Sequence, residues 1–527
     1  MTVHAPCLAL PRWRALCSSL PQHGLRVGAV MGFALMVLAL LISAPVAARP
    51  KADATPAGPP SIRTGSAPAT ALPAAVLQAL QQAQVPPRAL GVMVVPVATP
   101  EAPRLQWQVD APFNPASVMK LFTTYAGLSL LGPDYRWRTR VLAEGPVVAG
   151  TLQGTLYVQG SGDPHLVLED VQAMMTRLRQ LGIERLAGNV VLDRQVFELA
   201  APTEAFDDEP LRPYNVRPDG LLMNFHSVIY RFEPDVARGR ARVSVEPPLA
   251  GLQVPADVPL QGGPCQDWRG QLQADFSVAT APRFAGRYPE ACGTLDWPVA
   301  FPDPASYAAR MLQALWQQAG GQWQGTVRQG RTPETARLLI EQVSVPLTEQ
   351  IAHINKFSNN VMAQQLFLTL SSAMGAPGRF EASRRRVQRW WQDEMPGIEA
   401  PVLDNGSGLS RQERSSPRSL MALLLKARQG PLAEPFTASL SVAGVDGTAS
   451  RMRERLPGSP LLGKAWLKTG SLRDVASVAG YVQDASGQLH AVVAIIHHDK
   501  APRARAALDA LLEWVARTPT GPAARRQ

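Results

Sequence analysis

Lysine, cysteine and aromatic residues are all scarce in this chain of 527 residues. Only seven of its 52 basic side chains are lysines, so its formal net charge of +10 comes from arginine. The arginines are scattered, and no basic block carries interleaved aromatic residues, which disfavours nucleic acid as a partner. The hydrophobic fraction of 46% excludes wholesale disorder. The composition favours about three folded domains with a solvated arginine-rich surface.

Acidic residues are absent from residues 1–48, where three arginines precede an uncharged, mostly apolar run that ends in Val-Ala-Ala. This pattern predicts a signal peptide over 1–48, cleaved near Ala48. The run is also long enough for an uncleaved anchor, which would give a weak membrane association. Residues 49–73 are rich in Pro, Ala, Ser and Thr without a hydrophobic period, and are predicted to form a flexible linker.

Only four cysteines occur, and Cys7 and Cys17 would be lost with the signal peptide. Cys265 and Cys292 would remain as a pair in an oxidising compartment, where we expect a disulfide; two buried thiols are the alternative. No HExxH or Cys/His spacing is present, so no metal or cofactor is predicted.

The spacing of hydrophobic residues is helix-like in some parts of the chain and strand-like in others, which predicts an α+β protein. Helical and strand patterns fill 74–140 and 331–518, and the latter ends in three strands and a helix, as expected for an antiparallel sheet flanked by helices. Segment 141–330 reads as a large, mostly β insertion of one or two small domains. Residues 519–527 form a basic tail.

Three short motifs carry residues suited to nucleophilic chemistry. Ser117 and Lys120 stand three apart in a helical pattern, so the amine can meet the hydroxyl and accept its proton if its pKa is lowered. A helical pattern over 347–374 is interrupted by Ser358-Asn359-Asn360, which predicts a junction between two helices. Lys468-Thr469-Gly470 lies in a predicted strand, where the lysine suits a substrate carboxylate and the bare glycine allows close approach. Each motif alone is weak evidence for catalysis. Three of the seven lysines fall in or beside the motifs, namely Lys120, Lys356 and Lys468, so the three motifs together are strong evidence.

The three motifs together resemble the S-x-x-K, S-D-N and K-T-G signature of penicillin-binding proteins and β-lactamases. Longer stretches are similar to the D-alanyl-D-alanine carboxypeptidase/endopeptidase group of low-molecular-mass penicillin-binding proteins, which also carries a large insertion between the first two motifs. These stretches are AsnProAlaSerValMetLys (114–120), GlySerGlyAspPro (160–164), AspAsnGlySerGlyLeuSerArg (404–411), AlaGlyValAspGlyThr (443–448) and LysThrGlySerLeu (468–472). The resemblance implies a β-lactamase-like transpeptidase domain and a periplasmic serine DD-peptidase that acts on peptidoglycan stem peptides and is acylated by β-lactam antibiotics.

The resemblance also implies catalytic roles. Ser117 would attack the carbonyl of a D-Ala-D-Xaa bond with Lys120 as its base, and Ser358 would pass a proton to the leaving amine.

Binding roles follow in the same way. Asn360 would hold the substrate amide, and Lys468 and Thr469 would bind the terminal carboxylate beside Gly470. The N–H groups of Ser117 and Ser471 would form the oxyanion hole.

Two other functions are compatible with parts of this pattern. A serine β-lactamase-like hydrolase shares the acylation step, but the large insertion argues against it. A catalytically silent peptidoglycan-binding module would keep the fold, but intact motifs argue against silence. The balance between carboxypeptidase and endopeptidase activity is left open by the sequence.

Overall fold

A computed structural model describes residues 71–201 and 204–519 of the chain. The predicted signal peptide, nearly all of the linker and the tail, and Cys7 and Cys17 lie outside these residues. Among the helices of the described part, none is long and apolar enough to span a bilayer. The α-helices are α1 Ala74–Gln82, α2 Lys120–Leu131, α3 Leu168–Gln180, α4 Trp268–Gln271, α5 Pro304–Gln318, α6 Leu347–Phe357, α7 Asn360–Ser372, α8 Phe380–Glu394, α9 Pro417–Ala427, α10 Ala433–Ala438, α11 Met452–Arg455 and α12 Arg505–Arg517.

The β-strands are short in the middle of the chain and longer near its C-terminal end. They are β1 Leu90–Pro96, β2 Leu105–Trp107, β3 Arg138–Ala143, β4 Val147–Val148, β5 Thr151–Leu152, β6 Leu156–Gln159, β7 Arg185–Leu186, β8 Val190–Asp193, β9 Ser227–Asp235, β10 Arg240–Glu246, β11 Asp257–Gln261, β12 Ala274–Asp275, β13 Arg283–Phe284, β14 Tyr288–Pro289, β15 Leu295–Ala300, β16 Gln322–Trp323, β17 Val327–Gln329, β18 Arg337–Val343, β19 Ser441–Val442, β20 Ala465–Leu472, β21 Val475–Gln483 and β22 Leu489–His497.

The largest sheet has six antiparallel strands in the order β19-β20-β21-β22-β1-β2. Alternate residues of a strand face opposite sides. Val493 and Ile495 accordingly join the core beneath helices such as α2 and α9, whereas Val492 and Ala494 join the core beneath α1 and α12. Helices therefore cover both faces, and the predicted α+β fold with a helix-flanked antiparallel sheet is confirmed.

Residues 347–374 form two helices rather than one, as the interruption at 358–360 predicts. Ser358 ends α6 in the left-handed region, with φ 57° and ψ 36°. Asn359 then caps α7, because its Oδ1 accepts a hydrogen bond from the Met362 amide at 3.1 Å. Asn359 stands where the S-D-N signature has aspartate. Asparagine and aspartate are about equally favourable at an N-cap, so this departure leaves the junction intact.

A β-rich region separates α2 from α6 and is built on several small sheets. One sheet has the order β17-β8-β6-β3-β18, and another has the order β14-β11-β10-β9-β15. They share one hydrophobic cluster with α3 and α5. The antiparallel pairing of β3 with β18 brings the two ends of this region together. It extends the region to 138 and 343, beyond the predicted 141–330.

Two contacts stabilise the β-rich region, one at its ends and one within it. At the ends, the Trp137 amide donates to Ser344 Oγ and the Ser344 amide donates to the Trp137 carbonyl, each at 3.0 Å. Cys265 and Cys292 are joined by a disulfide with a sulfur–sulfur distance of 2.01 Å, which confirms the expected pairing over the alternative of two thiols.

Candidate active site

Ser117 lies in a tight turn held by two other segments. Residues 116–119 form a 3₁₀ turn that runs directly into α2. The preceding Ala116 has φ 47°, a left-handed conformation that costs a non-glycine residue about 1–2 kcal/mol. Asn114 stabilises it: its Oδ1 accepts the Ala116 amide at 2.9 Å and its Nδ2 donates to the Ser410 carbonyl at 2.8 Å. The turn keeps the Ser117 hydroxyl partly exposed while its neighbours are buried.

Lys120 is fully buried and its Nζ contacts three oxygen atoms. It lies 2.9 Å from Ser117 Oγ and 2.6 Å from Asn360 Oδ1, and it also contacts the Ser407 carbonyl oxygen. The amide and carbonyl oxygens can only accept hydrogen bonds, whereas the serine hydroxyl can donate one. A neutral Lys120 would therefore use its two N–H groups on Asn360 and Ser407. Its lone pair is then left facing the Ser117 hydroxyl.

The electrostatic surroundings favour the neutral amine. Burial lowers the pKa of Lys120 well below its usual value, and the nearby Lys468 ammonium lowers it further. Lys468 is itself fully buried, and burial lowers its pKa to about 7. Desolvation disfavours the charged form of both amines, and proximity makes it difficult for both to be charged together.

Ser358 connects the second motif to the third. Its Oγ accepts a hydrogen bond from Lys468 Nζ at 2.9 Å, and the same Nζ donates to the Thr469 carbonyl at 2.8 Å. The left-handed backbone at Ser358 costs energy that surrounding contacts must offset, and such strain concentrates at functional sites. The hydroxyls of Ser117 and Ser358 are thus each held by a buried lysine.

Strand β20 passes directly beside the Ser117 turn. A Cβ atom added at Gly470 would lie 2.3 Å from Ser477 Oγ and 3.0 Å from the Ser117 amide nitrogen. A side chain at position 470 would clash with the Ser117 turn, so packing requires glycine here in addition to the close approach of substrate. Ser471 follows on the exposed end of β20, paired in register with Ala476. The two amides predicted to form the oxyanion hole therefore lie on adjoining segments.

Residues from outside the three motifs complete the site. Thr469 Oγ1 donates to Thr448 Oγ1 at 2.8 Å, which links the third motif to segment 443–448. Asn360 Nδ2 donates to the Tyr214 carbonyl at 3.2 Å, so the β-rich region reaches the second motif. This bond also fixes the amide orientation in which Oδ1 faces Lys120.

The chain matches a known protein family over most of its length. A family model described as the D-Ala-D-Ala carboxypeptidase 3 (S13) family matches residues 72–518. The chain belongs to this family. It is 30% identical over 424 residues to the D-alanyl-D-alanine carboxypeptidase of Actinomadura sp., covering 76% of each chain. It is 26% identical over 397 residues to the D-alanyl-D-alanine carboxypeptidase DacB of Haemophilus influenzae, covering 72% of this chain and 80% of that one.

The fold has a solved counterpart. Penicillin binding protein 4 (dacB) of Haemophilus influenzae matches 84% of this chain and 99% of its own, with a TM-score of 0.68 and 23% identity. This S13 family member is therefore a serine-type D-Ala-D-Ala carboxypeptidase of the low-molecular-mass penicillin-binding group. Neither a β-lactamase nor a silent module is favoured by these relatives.

Glu413 of this carboxypeptidase affects the pKa of Lys120 and is not among the residues predicted from the sequence. Glu413 is fully buried, and its Oε1 accepts the amides of Asp404, Asn405 and Gly406 at 3.1, 3.2 and 2.9 Å. Burial raises its pKa to about 7 despite these bonds. It shapes the 404–411 loop that supplies the Ser407 carbonyl, and its carboxylate raises the pKa of Lys120. A single glutamate in a loop gives no sequence pattern by which to find it.

The 404–411 loop itself packs against the Ser117 turn. A Cβ atom at Gly408, whose φ is +82°, would lie 2.0 Å from the Ala116 carbonyl oxygen. Lys356, which stands beside the second motif in sequence, instead pairs with Asp446. Within residues 71–201 and 204–519 no group of three metal-ligating side chains is present.

Proposed function

We propose that this carboxypeptidase removes the terminal residue from D-Ala-D-Ala-ending stem peptides of peptidoglycan through an acyl-enzyme on Ser117. The observation that carries the proposal is the contact between the Ser117 hydroxyl and a fully buried amine at 2.9 Å. A buried lysine with a lowered pKa is the kind of base that activates a serine.

Acylation begins with the transfer of the Ser117 hydroxyl proton to neutral Lys120 as Oγ attacks the carbonyl carbon. The carbonyl oxygen becomes an oxyanion and is stabilised by the amides of Ser117 and Ser471. Preorganised donors of this kind typically contribute 10²–10³-fold to the rate.

Collapse of the tetrahedral intermediate breaks the peptide bond and requires a proton on the leaving amine. Ser358 donates its hydroxyl proton to that amine and takes a replacement from the Lys468 ammonium that donates to it. The proton that Lys120 accepted from Ser117 stays on the lysine pair, so the two amines together hold one extra proton before and after the step. Lys468 holds the Ser358 hydroxyl at 2.9 Å for this step. Water then attacks the acyl-enzyme, releases the shortened peptide and returns the proton to Ser117, so the net reaction consumes one water.

Substrate binding rests on the second and third motifs. Lys468 and Thr469 bind the terminal carboxylate, and Asn360 holds the peptide amide. Within the described residues, β19 pairs with β20 at Trp466 and Leu467 alone, so the outer edge of β20 beyond Leu467 has no strand partner there. An extended peptide can add to this edge by backbone hydrogen bonds.

The penicillin-binding character gives the direct test. Penicillin binding protein 4 of Haemophilus influenzae has been solved in complex with a β-lactam, and we expect the same class of compound to acylate Ser117. Purified protein is incubated with fluorescent penicillin and separated on a denaturing gel. A stable labelled band that disappears in Ser117→Ala and in Lys120→Ala is expected.

Matched controls are Ser277→Ala, at an exposed residue, and Lys500→Ala, at a partly exposed one; both lie outside the site and should label normally. Rapid loss of label with turnover of the drug would indicate a β-lactamase. Normal labelling of Lys120→Ala would contradict its role as base. Hydrolysis of a cross-linked muropeptide, compared with a monomeric pentapeptide, would measure the endopeptidase share.

We place the mature protein in the periplasm after cleavage near Ala48. The disulfide supports export, since disulfides persist in oxidising compartments. N-terminal sequencing of protein from a periplasmic fraction should begin near Arg49. Recovery of the full-length chain in the membrane fraction would favour an uncleaved anchor.

A further inference from the structure

A second cleft lies along β3, separate from the Ser117 turn. Its volume is about 650 Å³, and Arg136, Arg138, Arg140 and Arg331 line its walls; we refer to it as the arginine cleft. Arg138 and Arg140 point to the same face of β3 because alternate side chains of a strand share a face. All four arginines are exposed.

The positive charge of the arginine cleft is only partly balanced. Glu341 pairs with both Arg138 and Arg140, the latter at 2.9 Å. Asp193, the carboxylate that lines the cleft, accepts backbone amides from Gln195 and Thr332 at 3.1 and 2.8 Å. In the described part of the chain, Arg136 and Arg331 have no carboxylate partner. Arg136 donates only to the Ser344 carbonyl, at 2.7 Å.

This arrangement favours a ligand with several anionic groups. The guanidinium fork matches carboxylates and phosphates by paired hydrogen bonds. Unbalanced charges of one sign in a concave surface concentrate oppositely charged ligands there. Two arginines that project into a cleft without a carboxylate partner are therefore available to an external anion.

The arginine cleft is distant from the catalytic serine. Asn360 begins α7 beside Lys120, whereas Trp137, which lines the cleft, bonds Thr369 on the same helix at 3.0 Å. Nine residues of helix span about 14 Å. Pro377, another lining residue, follows the end of α7. A single stem-peptide terminus cannot fill both places, but a polymer that carries many stems can.

We infer that the arginine cleft binds free carboxylates of neighbouring stem peptides in polymeric peptidoglycan while one stem lies at Ser117. This inference rests on the proposed function, which makes the substrate a polymer with repeated carboxylates. Occupying two sites on one polymer raises the effective concentration of stems at the serine. The cleft thus selects the polymer over short soluble peptides.

The test compares Arg136→Gln/Arg331→Gln with the control Arg88→Gln/Arg283→Gln, which removes two exposed arginines outside the cleft. Each protein is first labelled with penicillin to prevent digestion, then sedimented with purified sacculi. Because penicillin blocks the Ser117 site in every protein, retention on the sacculi depends on the arginine cleft, and we expect the cleft variant to bind at least about fivefold more weakly than the wild type. The control variant should bind normally. All three proteins should label with penicillin and hydrolyse a soluble pentapeptide at equal rates.

Sacculi whose carboxylates have been amidated provide the second arm, and wild-type binding to them should fall to the level of the cleft variant. Equal sedimentation of wild type and cleft variant, or equal loss in both double variants, would overturn the inference. Unchanged binding to amidated sacculi would overturn it as well, since the ligand would then not be a carboxylate. A wild type that fails to label would instead overturn the proposed function, because sedimentation is read independently.

Discussion

The six-stranded sheet and the sheet β14-β11-β10-β9-β15 differ in how far their faces, and therefore their charged residues, are exposed to solvent. The first is covered on both faces, and eight of the nine residues of β21 are buried. The second exposes one face, so β10 alternates between exposed and buried residues along Arg240–Val243. Antiparallel sheets with one solvated face can carry charged residues at little cost. A charged residue on a sheet covered on both faces must be stabilised by specific contacts.

The arginine pairs of the β-rich sheet lie in solvent, where opposite charges contribute little. Arg240 and Asp257, for example, are 45% and 43% exposed. Lys468 on β20 is 0% exposed, and its hydrogen-bond partners among the described residues are one hydroxyl and one carbonyl oxygen. Burying a charge without a counterion is unfavourable. The cost at Lys468 is therefore evidence of function, whereas the many surface ion pairs are evidence only of solubility.

The largest effect should come from removing the buried charge in Lys468→Met. The folded-state pKa is about 7, below the usual 10.5 of an unfolded lysine, so the folded state binds fewer protons between these pH values. Stability of the wild type relative to the variant should therefore rise with pH from 7 towards 10.5, by on the order of 4 kcal/mol in total. Urea unfolding at pH 7, 8 and 9 measures this difference.

The matched control is Lys464→Met, which changes an exposed lysine; its free energy of unfolding should stay parallel to that of the wild type across this pH range. Parallel curves for Lys468→Met would show that its amine is not destabilised by burial. The variant should also lose penicillin labelling, which separates the functional from the energetic role of this lysine.

Removing the disulfide should have the next largest effect, and only on the β-rich region. The bond closes a loop across a sequence separation of 27 residues, which corresponds to about 3–4 kcal/mol of chain entropy. Cys265→Ser/Cys292→Ser should lower the free energy of unfolding by about this amount, measured by urea titration. The rate of penicillin labelling of the folded protein should not change. A slower rate would show that the β-rich region controls the site more strongly than its contact at Tyr214 indicates.

Glu413→Gln should shift the pH dependence of acylation. The ionised carboxylate raises the pKa of Lys120, and Glu413 is ionised mainly above its own pKa of about 7. Its removal should therefore lower the pKa of Lys120 and increase the neutral fraction of Lys120 near and above pH 7. The acid limb of the penicillin-labelling rate should therefore move to lower pH, while Glu434→Gln on the exposed surface leaves it unchanged. An unmoved acid limb would mean that Glu413 only supports the loop.

The three motifs were predictable because their chemistry requires particular residue types at short spacing. A hydroxyl three residues from an amine is visible in sequence, and the scarcity of lysine makes Lys120 and Lys468 conspicuous. The break between α6 and α7 was visible for the same reason, since it interrupts a local period.

Features that depend on distant contacts were not predictable. Glu413 acts through three backbone amides and through its distance from Lys120, neither of which leaves a local pattern. The pairing of β3 with β18 joins segments about 200 residues apart, and a contact over that separation leaves no local pattern in the sequence. Helix α8 was not predicted, although Val387, Trp390 and Trp391 recur on one face at helical spacing.

The smallest effect is expected at a surface pair that looks strong. Arg231 and Asp296 face each other across β9 and β15 and form two hydrogen bonds, of 2.7 and 2.9 Å. Both side chains are about two-fifths exposed, so water and salt screen their attraction. A double-mutant cycle with Arg231→Met and Asp296→Asn should give a coupling of about 0.2–1 kcal/mol that falls with added salt. A coupling as large as the Lys468 effect would mean that solvent exposure does not determine how much a charge contributes to stability in the two sheets. Burial of Lys468 would then no longer indicate a functional role.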